Sequence, residues 1–202
     1  MEWKSKRVRK HRFGKSVGLL GRALVVGGLG LLVGCGPGSA PPGFYDRVHR
    51  GDIVIGATEK GRGALLADYD FSRPVSLSLS ASFGGVLLYS STEPGFDLLP
   101  FDRPDRRQFA LPSGVSVRLE IVAVDPGVQL KLESKTLREP GDFAELGTTP
   151  DLHAHGEWQV VVPEGGASGS FKLVFRLTSD RPEFSDSPPY EIRLEIDEER
   201  AS

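Results

Sequence analysis

From Phe44 onward the chain alternates apolar and polar residues with a period of two. Val75, Leu77 and Leu79 alternate with Ser76, Ser78 and Ser80. Val115, Val117, Leu119 and Ile121 alternate with Ser116, Arg118 and Glu120, and Val128, Leu130 and Leu132 with Gln129, Lys131 and Glu133. Phe171, Leu173, Phe175 and Leu177 form a fourth run, and Tyr190, Ile192, Leu194 and Ile196 a fifth. Successive side chains of a strand point to opposite faces, so each run predicts a strand with one buried and one wet face. Shorter apolar runs at 52–55, 64–68 and 86–89 predict further strands. The separators carry turn chemistry: Glu93-Pro94-Gly95, Pro112-Ser113-Gly114, Asp125-Pro126-Gly127, Glu139-Pro140-Gly141 and Glu164-Gly165-Gly166. No segment carries a sustained helical stripe. Residues 44–202 therefore read as an all-β domain, a single antiparallel β-sandwich of immunoglobulin-like or jelly-roll-like type.

The first 34 residues follow a different rule. A basic stretch to residue 22 precedes an apolar run at 23–33, and Leu32-Val33-Gly34-Cys35 closes it. Aliphatic and small residues directly before a cysteine form the signature of a bacterial lipoprotein signal peptide. The Cys35 thiol would receive a diacylglycerol, and the peptidase that then cleaves before it needs small neighbours. An uncleaved membrane span fits less well, because residues 17–33 are short for one, Arg22 interrupts them and glycines weaken them as a helix. The organisation is then a signal peptide at 1–34, a tether at 35–43 that begins on Cys35 and is rich in Pro and Gly, and the sandwich at 44–202. Such a chain belongs in the cell envelope, held on the membrane by acyl chains such as palmitate on Cys35. Gly36, where an Asp would favour the inner membrane, points to the outer membrane in a Gram-negative cell.

Charge supports this division. The chain has 25 Lys and Arg and 27 Asp and Glu, a formal net charge of −2. Eight of the basic residues but only one acid precede Cys35, leaving 17 basic and 26 acidic residues from Cys35 on, a net −9 with His neutral. An acidic body argues against nucleic-acid binding, which needs a basic footprint. Cys35 is the only cysteine. The exported domain therefore has no disulfide, and no thiol for catalysis or metal binding once Cys35 is acylated.

The candidate chemistry lies with histidine. Only His49, His153 and His155 fall in the exported domain. Residues 153–162 read as one strand in which Trp158, Val160 and Val162 face the core and His153, His155 and Glu157 face the other way. Side chains at i and i+2 of a strand lie about 7 Å apart on one face, so two imidazoles so placed can converge on one metal ion. Imidazole suits zinc, copper, nickel or iron. His49 can supply a third ligand, and Asp52 or Glu157 can complete the shell or orient a ring. Two histidines on the wet face of an edge strand are also ordinary surface residues, and that reading stays open beside the metal one.

These stretches resemble a family of secreted, surface-anchored β-domains whose genes often accompany zinc-regulated metal transport systems. The resemblance rests on His49-Arg50-Gly51-Asp52-Ile53, then Leu146-Gly147, then His153-Ala154-His155-Gly156-Glu157-Trp158. Pro163-Glu164-Gly165, the Phe-rich strand from Phe171 and Ser185-Asp186-Ser187-Pro188-Pro189-Tyr190 complete it. It implies extracytoplasmic metal handling with zinc favoured, and a metal transporter or envelope protein as partner. No nucleophile elbow or phosphate-binding loop is present, so the expectation is a binding protein and not an enzyme. The alternative is a structural or protein-interaction sandwich with no metal site.

Overall fold

Ile53-Val54-Ile55-Gly56-Ala57 does not alternate, the mark of a strand covered on both faces, and every one of these residues is buried. It opens strand β1 (Ile53–Glu59), the middle of the smaller of two sheets. The computed structural model describes residues 51–166 and 169–196. The signal segment, the tether, Cys35 and His49 lie outside the described residues. Thirteen further strands follow: β2 (Arg62–Asp68), β3 (Val75–Phe83), β4 (Val86–Ser91), β5 (Phe96–Leu98), β6 (Ser116–Val124), β7 (Val128–Leu132), β8 (Lys135–Leu137), β9 (Phe143–Thr148), β10 (His153–Ala154), β11 (Gly156–Pro163), β12 (Ser170–Ser179), β13 (Phe184–Ser185) and β14 (Tyr190–Ile196). Among the described residues the one helical element is a 3₁₀ turn at Pro104–Arg106.

The fold is all-β, and its two sheets pack into a sandwich. The smaller sheet has the order β10-β5-β1-β2-β13, and the larger runs β8-β7-β11-β4-β3-β14-β12-β6-β9. The larger sheet curls until its consecutive edge strands approach, where Lys135 Nζ donates to the Phe143 carbonyl at 3.4 Å. Antiparallel ladders dominate, as the short turns require. Three parallel pairings, β1 with β5, β2 with β13 and β3 with β14, bring together segments separated by long connections.

The alternating runs land as the pattern dictates except at Leu79, which is 40% exposed beside a register shift in β3. Leu77, Val117, Leu119, Ile121, Leu130, Leu173, Phe175, Leu177, Ile192 and Leu194 are all buried in one core. Phe96 of the smaller sheet joins that core to the larger one, with its ring 6.0 Å from Trp158 and 6.2 Å edge-on from Phe175. Tyr190 adds a polar tie, stacking on Phe71 while its hydroxyl accepts the Ala67 N–H at 3.0 Å.

One expected strand is two. The run at 153–162 breaks at His155. Residues 153–154 pair with β5 of the smaller sheet, whereas 156–163 pair with β4 and β7 of the larger. Trp158 explains the break. Its indole is fully buried and its Nε1 donates to the Pro94 carbonyl at 2.9 Å. The chain must therefore enter the larger sheet beside the Glu93-Pro94-Gly95 turn, and it leaves the smaller sheet to do so. Replacing Trp158 by Phe would keep an aromatic core but strand the buried Pro94 oxygen. We expect about 1–3 kcal/mol lower stability, read from urea unfolding, with the sandwich otherwise intact.

Candidate metal centre

Strand register assembles the site. In the smaller sheet Val54 lies opposite Asp97, and Asp97 lies opposite His153. The next row is Ile53, Phe96 and Ala154, facing the core. One residue further along the same ladders come Asp52, Gly95 and His155. Because faces alternate, the rows of Asp97 and Gly95 share the face away from Phe96. Asp52, Asp97, His153 and His155 are thus gathered by pairing among three short strands.

The middle of the outer row has no side chain, and this lets its ends meet. A Cβ on Gly95 would lie 2.7 Å from His155 Cε1, 2.8 Å from His155 Nδ1 and 3.0 Å from Asp52 Oδ1. The imidazole and the carboxylate occupy the space that a side chain would fill. The main chain at Gly95 is pinned from both ends: its N–H donates to Asp52 Oδ1 at 2.9 Å, and its carbonyl accepts the Ile53 N–H at 2.9 Å.

Asp52, His153 and His155 each offer a donor atom, and the three atoms lie within 4.8 Å of one another. The two rings meet edge to face with centroids 4.9 Å apart. Asp52 is only 4% exposed, and both imidazoles reach solvent. Asp52 Oδ2 is buried and accepts no hydrogen bond. Three other buried polar side chains are answered within the protein. Thr149 Oγ1 accepts the Val115 N–H, Ser187 Oγ accepts the Leu177 N–H, and Gln159 Oε1 accepts from Gln129 Nε2. A buried carboxylate oxygen without a donor is costly unless a cation answers it.

Two more carboxylates flank the imidazoles. Asp97 Oδ2 lies 3.9 Å from His153 Nδ1, and Glu93 Oε1 lies 3.9 Å from His155 Nδ1. Asp97 is buried, with its Oδ1 accepting the Leu98 N–H at 2.7 Å, whereas Glu93 is exposed. A cleft of about 300 Å³ opens beside the turn, bounded by Gly51, Tyr69, Ser91 and Glu93. Burial, and then the neighbouring Asp70 carboxylate, hold the Tyr69 hydroxyl above its ordinary range, so it remains a proton donor there.

The structure thus joins His153 and His155 to Asp52. Glu157, grouped with the histidines by parity, instead faces Lys131 across the β7–β11 ladder, with 3.8 Å between Nζ and Oε2. The strand break separates it from the imidazoles. Asp97 and Gly95 escaped sequence reasoning. Phe96-Asp97-Leu98 is too short a run to declare a strand, and its pairing with residues far away in the chain leaves no local signature. No family model and no curated protein sequence matches the chain.

Gly95→Ala tests this construction directly. The added methyl must push the His155 ring aside while leaving the β1–β5 hydrogen bonds in place. We expect the His155 ring resonances to move in an NMR spectrum while the rest of the fingerprint and the unfolding midpoint change little.

Proposed function

We propose that this chain is a membrane-anchored extracytoplasmic lipoprotein that binds one transition-metal ion, zinc by preference, at Asp52, His153 and His155, for metal handling at the cell surface. The observation that carries the reading is the buried Asp52 carboxylate, one of whose oxygens accepts no hydrogen bond, grouped with two imidazole nitrogens within 4.8 Å. A divalent cation is the group that such a set satisfies. Two neutral nitrogens and one carboxylate match the borderline-soft ions, whereas calcium and magnesium prefer all-oxygen shells.

Three protein ligands leave a tetrahedral ion one open position, and both imidazoles stand at the surface. An ion held this way can be reached and released from solvent, which suits uptake and transfer to a metal transporter or envelope protein. The reading is one of binding without a catalytic step. Bonds of about 2.0–2.1 Å to zinc would draw tetrahedral donors to about 3.3 Å apart, so the imidazoles must turn inward. Both rings reach solvent, while Asp52 is buried. The net −9 of the chain from Cys35 on favours cations at the surface. The resemblance in the segments around His49, His153 and His155 points the same way, and His49 is retained as a possible further ligand in this reading.

The anchor is part of the proposal. Acylation of Cys35 removes the only thiol, so metal chemistry falls to imidazole and carboxylate. Two or three acyl chains give stable attachment where one does not. Metabolic labelling with radioactive palmitate should mark the wild-type protein and fractionate with membranes, and Cys35→Ser should abolish both. Labelling that persists in Cys35→Ser would remove the anchor from the proposal.

Zinc titration of the purified protein in detergent tests the centre. Wild type should bind one equivalent. His153→Ala/His155→Ala and Asp52→Asn should each lose at least ten-fold in affinity, and chelation should lower the wild-type unfolding temperature but not that of the variants. Equal, weak binding by wild type and the double variant would instead support a structural or protein-interaction sandwich with incidental histidines.

A further inference from the structure

Resting on the metal reading above, we infer that Asp97 is a positioning residue for His153: its carboxylate takes the Nδ1–H of the ring and leaves Nε2 as the nitrogen offered to the ion. Metal-bound histidines usually donate their second ring N–H to a carboxylate or carbonyl, which fixes the tautomer and strengthens the ligand. Four observations place Asp97 in that role. It is the direct cross-strand neighbour of His153 in the β5–β10 ladder, so the two side chains rise from the same face a few ångströms apart. It is buried, at 9% exposed, whereas the His153 side chain is 44% exposed. One of its oxygens is held by the Leu98 N–H at 2.7 Å, which orients the other. That other oxygen, Oδ2, is the one nearest His153 Nδ1, at 3.9 Å.

The division between a buried, anchored carboxylate and a half-exposed ring decides how the gap closes. At 3.9 Å the pair is longer than a hydrogen bond. Asp97 is tied to the main chain and sealed by its neighbours, so it is the imidazole that turns. The same rotation commits Nδ1 to Asp97 and frees Nε2 for coordination. Asp97 stands outside the group formed by Asp52, His153 and His155. It acts on the ion through His153 and is not a ligand. Glu93, beside His155 Nδ1 at the same distance, is exposed, so the two flanking carboxylates differ in burial.

The test uses the purified protein with ¹⁵N-labelled histidine, whose few ring signals are assigned by single substitutions. At pH about 8 in the absence of metal, long-range ¹H–¹⁵N spectra should show His153 as the Nδ1–H tautomer. Asp97→Ala should return it to the Nε2–H form favoured by free histidine and weaken zinc binding 10–100-fold at unchanged stoichiometry. Asp97→Asn retains an acceptor for the Leu98 N–H, which guards against misfolding, but turns an amide NH2, a donor, toward His153 Nδ1. It should shift His153 toward the Nε2–H tautomer and weaken zinc binding, as Asp97→Ala does, while keeping the fold. An Nε2–H tautomer of His153 in wild type, or an Asp97→Ala protein with unaltered tautomer and affinity, would overturn the inference. Failure of wild type to bind zinc would sink the metal reading alone, because the tautomer and its response to Asp97→Ala would still report the Asp97–His153 pair.

Discussion

A single main-chain hydrogen bond, from the Gly95 N–H to the buried Asp52 carboxylate, is the constraint around which this end of the domain is arranged. It holds a charged group in a place where charge is expensive and leaves one of its oxygens unanswered. It can do so because Gly95 is itself immobilised. The Ile53 N–H grips its carbonyl, and the preceding carbonyl, of Pro94, accepts the indole N–H of a fully buried tryptophan. The chemistry of the surface is in this way referred back to the aromatic core, through two residues of one turn, Pro94 and Gly95.

Much of the scaffold was legible in the sequence because sandwich strands carry their environment in their alternation. β3, β6, β7, β12 and β14 announce themselves through Leu77, Leu119, Leu130, Leu177 and Ile192, each with polar neighbours on either side. β1 was visible as an unbroken apolar run. The short strands were not. β5, β8, β10 and β13 contain two or three residues each, too few for a period to show, and they exist only because longer partners offer them hydrogen bonds. The parallel pairings are equally silent, since nothing local marks Ile53 as a neighbour of Phe96.

The site was half legible for the same reason. The His-x-His spacing and the presence of Asp52 could be read, and spacing alone placed the two imidazoles on one face. The group that separates a metal centre from two surface histidines is non-local. Asp52 meets His155 only across Gly95, and Asp97 meets His153 only through the β5–β10 register. Glu157 shows the converse error. Parity put it with the histidines, but parity holds only while the chain stays in one sheet, and it leaves that sheet at His155.

That departure has a mechanical meaning. His153 is the first residue of a strand in one layer of the sandwich, and His155 sits directly before a strand in the other. Sliding one layer over the other by an ångström would change the spacing of the two rings by a comparable amount. A cation gripped by both would therefore act as a rivet between the layers, resisting shear that the apolar core, which is non-directional, opposes only weakly. The rigidity of the sandwich and the occupancy of its rim would then be one property measured in two ways.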